Sequence, residues 1–366
     1  MHRVLVLGGY GFFGSRICKA LAVDSQIYLF ISGRDGLKAK KLALELHLRQ
    51  EQGIRIDAQN KKLADTLEEL RIDTVIHTAG PFQGQNYDVA KSCIAAGANY
   101  IDLADGRDFV AGISQLDAEA RERGILVTSG ASSLPALSSA VVDRYVGKFS
   151  VIKSIRHGIA SGARAPGLAT MSGIFSYCGK PFLRLEAGQY VTTYGWLDMQ
   201  RHHFPSAVGN RLLGSCDVPD LVLFPGRYSG VETVTFHAGF ASNLGHLVVW
   251  TLSQLVRIKM LSSLTLFVKP LAKISQWMEG FVSDKGGMFV CLEGLDQNAQ
   301  ALKMTWYLLV AQNHGPYIPC GASIALVQKL ARNIKLPSGA MPCVGLLSVE
   351  EYLASLDGFD VRELVP

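Results

Sequence analysis

Residues 4 to 17 read VLVLGGYGFFGSRI: four apolar residues, then four glycines at Gly8, Gly9, Gly11 and Gly14, running into a helix-forming stretch. An ordinary turn needs one glycine, or two. The last three are spaced G-x-G-x-x-G, which fits a strand, a tight turn and a helix whose N-terminus points back at the turn. In such a unit Gly9 lets the chain turn, Gly11 lets a pyrophosphate approach the backbone, and Gly14 lets helix and strand pack closely. Unpaired N–H groups and the helix dipole favour an anion there. Gly8, Gly9, Tyr10, Gly11, Phe12, Phe13 and Gly14 are therefore candidate cofactor-binding residues. The strand begins by residue 3, so the motif occupies the first βα unit, where a dinucleotide fold needs it. No cleavable signal is expected ahead of such a strand.

Downstream, strand and helix signals alternate to about residue 130, as in a parallel doubly wound sheet. QIYLFISG reads as strand two, IRIDAQN as strand three, IDTVIHTAG as strand four, NYIDLAD as strand five and ILVTSGA as strand six. After Pro135 the rhythm changes to strand-like runs such as SIRHGIASG, VETVTFHAGF and ALKMTWYLLVA, too irregularly joined for βαβ units. The expected fold class is α/β. A Rossmann-type parallel sheet spans 1–130, an α+β substrate or dimerisation domain with a mostly antiparallel sheet spans 131–315, and the segment 316–366 returns to the first domain.

The end of strand two bears on the cofactor. NAD binders usually place an acid there, about 20 residues past the glycines, to accept the ribose hydroxyls. This chain has Ser32, Gly33 and Arg34 instead. A hydroxyl, an open backbone and a guanidinium suit a 2′-phosphate. Asp35 follows, in the cap of the next helix. The reading favours NADP over NAD. Asp57, at the end of strand three, is placed either to bond an adenine amino group or to cap the next turn.

By strand four a wider pattern is present. The segment HTAGPFQGQNYDVAKSCIAAGANYIDLADG, residues 77–106, combines Ala79-Gly80-Pro81-Phe82 with Gly84, Ala90 to Cys93, Gly97, Tyr100 and Asp102. Together with the glycine turn and Gly33-Arg34, it resembles the saccharopine dehydrogenase-like NADP-binding oxidoreductases. The resemblance covers residues 1 to about 145, with looser similarity at RAPGLAT, VPDLVLFP and GAMPCVGLLSVEEYLASL. It implies an NADP(H)-dependent oxidoreductase with a catalytic cleft between two domains and hydride transfer at a C–N or C–O carbon of a small substrate. Ala79, Gly80, Pro81 and Phe82 follow strand four and are expected to line the cofactor, since ligands collect beyond the carboxyl ends of such strands. Tyr100, Asp102 and His157 are the proton-transfer candidates, because reducing C=N or C=O needs a proton on the heteroatom. Arg107, Arg164, Gly167 and Thr170 are candidates for holding a substrate carboxylate.

Composition narrows the alternatives. Hydrophobic residues make up 48% of the 366 and charged residues 18%, which fits a globular chain. The net charge of +5 is not gathered into a basic run, so nucleic acid is not an expected partner. Seven cysteines are scattered singly and the histidines lack ligand spacing, so reduced thiols, a cytoplasmic setting and no metal are expected. Residues 244–278 are strongly apolar, but charges interrupt them before the roughly 20 residues a membrane span requires. A dimer or other homo-oligomer interface, or a peripheral membrane or partner contact, is expected to cover them. Two other functions compete. Tyr87-x-x-x-Lys91 fits the tyrosine–lysine pair of an extended short-chain dehydrogenase or epimerase, although it follows strand four instead of strand five. An NADP(H)-binding sensor or scaffold is the non-enzymatic alternative.

Overall fold

The structure, a computed structural model, describes residues 1–162, 167–278 and 282–365. It forms two compact units, Met1–Leu137 with Tyr317–Ser355, and Ser138–Pro316 with Leu356–Pro366.

The first unit is built on β1 (His2–Leu7), β2 (Ile27–Gly33), β3 (Gly53–Arg55), β4 (Thr74–His77), β5 (Asn99–Asp102) and β6 (Leu126–Ser129), all parallel, in the order β3-β2-β1-β4-β5-β6. The order reverses between β1 and β4, the switch point at which doubly wound sheets bind ligands. Val4 to Leu7 are all buried, as expected of a central strand covered on both faces. The helix Gly14–Leu21 lays Ile17, Cys18 and Leu21 into this core. β3 is shorter than the sequence suggests. Ile56 N–H donates to the Gly33 carbonyl, and Asp57 Oδ1 then accepts from Gln59 N–H, turning the chain out of the sheet.

In the second unit the strands are β7 (Phe149–Ala160), β8 (Pro181–Glu186), β9 (Gln189–Tyr194), β10 (Gln200–Phe204), β11 (Gly209–Ser215), β12 (Thr233–Gly239), β13 (Gly286–Asp296) and β14 (Ala301–Val310). β8 and β9 form a separate antiparallel hairpin. The main sheet is mixed: only β12 and β7 run parallel, and the other pairs are antiparallel. No helix among the described residues is long and apolar enough to cross a membrane.

Beyond β14 the chain divides instead of returning whole to the first unit. The buried helix Gly321–Ala331 and β15 (Gly339–Pro342) join the first unit, β15 extending the parallel sheet beside β6. The last strand, β16 (Val361–Leu364), pairs instead with β14 of the second unit. Trp306 Nε1 donates to Glu363, which also pairs with Arg144, so VREL covers a sheet edge that would otherwise be open.

Candidate functional site

The glycine turn sits at the switch point. Its left-handed residue is Gly8, with φ 79°, and not Gly9. The N–H groups of Gly8 and Gly9 both donate to the Ser32 carbonyl at 2.9 and 2.8 Å, which ties the turn to β2. Gly9 is buried against Ile31 and Cys18. A Cβ on Gly14 would overlap the Gly8 carbonyl oxygen and lie 2.8 Å from Thr78 Oγ1, so helix and turn touch backbone to backbone. Gly11 is exposed on the outer side of the turn. The N–H groups of Phe12, Phe13 and Gly14 make no backbone hydrogen bond among the described residues. This is the donor arrangement that takes a pyrophosphate. Arg16 folds over the Phe12 ring, 4.3 Å from its centroid, and donates to the Phe12 carbonyl.

At the end of β2 the sequence reading is corrected in two places. The Ser32 hydroxyl is buried and donates to the Val6 carbonyl at 3.0 Å, so it braces β1 against β2 and is not presented to a ligand. The bare face of Gly33 is filled by the Tyr10 ring, whose hydroxyl accepts from Asp35 N–H at 2.9 Å. Arg34 is exposed. Asp35 is the N-cap of the helix Gly36–Glu45, accepting from Leu37 and Lys38 N–H. That engages the carboxylate nearest to where an NAD ribose acceptor would sit. An open depression of about 710 Å³ adjoins this point, with Arg34, Lys40 and Arg55 in its wall. Arg55 lies beside Gly33 in the sheet register. The sequence reading did not single it out, because IRIDAQN places Arg55 inside a strand. Asp57 is exposed, and its Oδ1 caps the following turn.

The loop after β4 is fixed from both sides. Thr78 Oγ1 donates to the Leu7 carbonyl at 2.8 Å, and Gln85 Nε2 donates to the carbonyls of Ala79 and Pro81. Ala79 and Gly80 are half-buried and Pro81 is exposed. Phe82 is buried against His77 and Phe109, so its part is packing. Tyr87 likewise packs on Phe109 and donates to the Phe109 carbonyl at 2.7 Å, while Lys91 is exposed. The tyrosine–lysine pair of the short-chain reading is therefore not assembled.

The three proton-transfer candidates are all interior. Tyr100 and Asp102, on β5, are fully buried; the Tyr100 hydroxyl bonds His77 Nδ1 at 3.0 Å. Asp102 Oδ1 accepts from Ala104 N–H, Ser129 Oγ–H and Gly130 N–H, each at 2.9 Å. Burial raises the Asp102 carboxyl to about 6 against the lowering pull of these bonds. Burial lowers His77 to about 4, leaving a neutral ring, and raises Tyr100. These groups lock β4, β5 and β6 together at their carboxyl ends. His157, on β7, is buried between Phe224 and Phe236 and bonds Asp220 at 3.0 Å. None of the three offers an exposed atom to a substrate in this conformation.

Of the carboxylate candidates, Arg107 is half-buried and opens the helix Arg107–Gly112. Arg164 lies outside the described residues. Gly167 is the N-cap of the helix Leu168–Tyr177, and Thr170 sits in its first turn. Two other second-unit arginines, Arg184 and Arg227, are engaged internally. Arg184 donates to Asp198 at 2.7 Å and to Ser215 at 2.8 Å and also pairs with Glu186, while Arg227 pairs with Asp143. Asp198, beside His237 and Arg184, is held well below the usual carboxylate range. This cluster was not foreseen, because its members come from four separated segments without a motif.

Fold and turn together define a dinucleotide-binding protein with a two-unit, dehydrogenase-type architecture. Residues 4–133 match the family described as the saccharopine dehydrogenase NADP binding domain. Its cofactor class is thus NADP, as the end of β2 suggested. Among solved structures, the chain is similar to an apo saccharopine dehydrogenase (L-Glu forming) from Saccharomyces cerevisiae, with 12% identity, complete coverage of both chains and a TM-score of 0.69. It is also similar to an amine dehydrogenase from Mycobacterium smegmatis, with 12% identity over 96% of this chain and 95% of that one, and a TM-score of 0.51. At such identities these likenesses speak for the fold alone. A comparison with curated protein sequences returns no match.

Proposed function

We propose that the protein is an NADP(H)-dependent oxidoreductase that moves hydride to or from a carbon bonded to nitrogen or oxygen in a small substrate. One observation carries the reading: the glycine turn at the β1/β4 switch point presents three unpaired amides, while the neighbouring end of β2 offers Arg34 and a capped Asp35. The amides of Phe12 to Gly14 hold the pyrophosphate, and Arg34 with Arg55 holds the 2′-phosphate through charge-assisted bonds. The nicotinamide supplies the hydride chemistry when the cofactor is bound. This chain's own residues would bind and orient it, and the hydrogen bonds of Thr78 and Gln85 hold the β4 loop in place. The internal pairing of Arg184 and Arg227 takes these two guanidiniums out of the set that could meet a substrate carboxylate. We assign Gly167 with Thr170, at the start of the helix Leu168–Tyr177, to a substrate carboxylate.

The test follows NADPH absorbance with simple oxo acids and ketones, each with and without ammonia or a small amine. Oxidation of NADPH that depends on one of these partners is expected. Tight NADPH binding without turnover by any partner, in either direction, would favour the sensor reading.

A further inference from the structure

Among the described residues, the second unit carries an exposed apolar surface. The helix Asn243–Arg257 buries His246, Val249, Ser253 and Val256. Leu244, Leu247, Val248 and Thr251, spaced three and four apart, form the opposite face and are exposed. A surface helix normally turns polar residues outward, whereas here Leu244, Leu247 and Val248 stand among the exposed positions. The exposed apolar series continues past the helix, with Ile258, Met260 (70% exposed), Leu266 (76%) and Ile274. Trp277 is exposed as well.

The charge of the same segment is one-sided. Residues 243–278 contain Arg257, Lys259, Lys269 and Lys273 and no aspartate or glutamate. The three lysines are exposed, and Arg257 lies over the Tyr194 ring, 4.4 Å from its centroid. Two copies of this surface facing each other about a two-fold axis would bring like charges together, which disfavours a homodimer here. Apolar side chains interleaved with cations, in helices too short to span, suit the headgroup zone of an anionic bilayer. There the methyl groups enter the acyl boundary and the ammonium groups meet lipid phosphates.

We propose that residues 243–278 form a monotopic docking surface for anionic phospholipid membranes. The inference is independent of the proposed reaction. The test is co-sedimentation of the full chain with vesicles of phosphatidylcholine, with and without one part in three of phosphatidylserine. Binding to the anionic vesicles is expected at least about tenfold tighter, and weaker at high salt. The variant K259E/K269E/K273E is expected to bind them about 100-fold less well, since each cation near the surface contributes roughly fivefold. L244N/V248N is expected to lose binding to both vesicles. Both variants change exposed positions, so their unfolding profiles and NADPH affinities should match the parent. Failure of the parent to sediment with anionic vesicles would overturn the proposal. So would loss in the charge variant alone, which would mean electrostatic attraction without insertion. A vesicle-independent dimer abolished by L244N/V248N would make the surface an interface between copies.

Discussion

Gly14→Ala is expected to weaken NADPH binding by more than about 100-fold, the equivalent of roughly 2.7 kcal/mol. The added methyl group would overlap the Gly8 carbonyl oxygen and crowd Thr78 Oγ1. Neither can yield easily. The Gly8 N–H is bonded to the Ser32 carbonyl, and Thr78 is bonded to the Leu7 carbonyl. The helix Gly14–Leu21 must therefore shift, carrying with it the Phe12–Gly14 amides proposed to hold the pyrophosphate. Overpacking of this kind typically costs about 1–3 kcal/mol of stability as well. Calorimetric titration with NADPH, paired with urea unfolding, separates the two effects. Gly11→Ala serves as the companion: its Cβ would meet only the Gly8 carbonyl, at 2.9 Å, on the exposed side. The overlap is smaller than at Gly14, so this variant should cost less stability while still obstructing the phosphate. Retention of NADPH affinity within tenfold by both variants would show that the turn is not the cofactor site.

Asp102→Asn is expected to stabilise the protein at pH 8 by up to about 3 kcal/mol, because folding weakens the acid about 100-fold and each tenfold is worth roughly 1.36 kcal/mol. The folded-state pKa of about 6 lies above the unfolded value of roughly 3.9. Between these values the folded state holds a proton that the unfolded state has released, so stability falls as pH rises through this window. Above pH 6 the buried carboxylate is ionised at a cost that the unfolded chain does not bear. An asparagine Oδ1 can still accept from Ala104, Ser129 and Gly130, and its amide carries no charge. The variant should show a flatter stability profile between pH 4 and 6, meeting the parent below pH 4. Urea unfolding of both proteins from pH 4 to pH 8 gives the difference directly. A variant less stable than the parent at pH 8 would mean that the ionised carboxylate holds β5 and β6 together better than the neutral amide can.

The fold was largely legible because its signals are local. The run Val4–Leu7, the glycine spacing and the repeated βα rhythm each act within a few residues, and together they specify the parallel sheet. β10, β11 and β16 were not read. QRHHF and VREL carry little apolar alternation, and they become strands only because a neighbouring edge offers them partners. The same limit applied to the site. The glycine turn and Arg34 were visible because they lie in one segment. The internal fates of Ser32, Asp102 and His157 were not, since a carboxylate at a strand end reads alike whether it faces a ligand or accepts three bonds from its own neighbourhood. The pairing of Arg184 with Asp198, fourteen residues on, has no local signal either.

The central claim is that the end of β2 selects NADP through Arg34, and parallel titration of NADPH and NADH into the parent protein and Arg34→Ala tests it most directly. A hydrogen bond to a charged group contributes roughly 1.5–3 kcal/mol net. The substitution should therefore weaken NADPH by about 10- to 100-fold and leave NADH nearly unchanged, with NADPH the tighter ligand of the parent. Equal losses for both nucleotides, or tighter binding of NADH by the parent, would contradict the account.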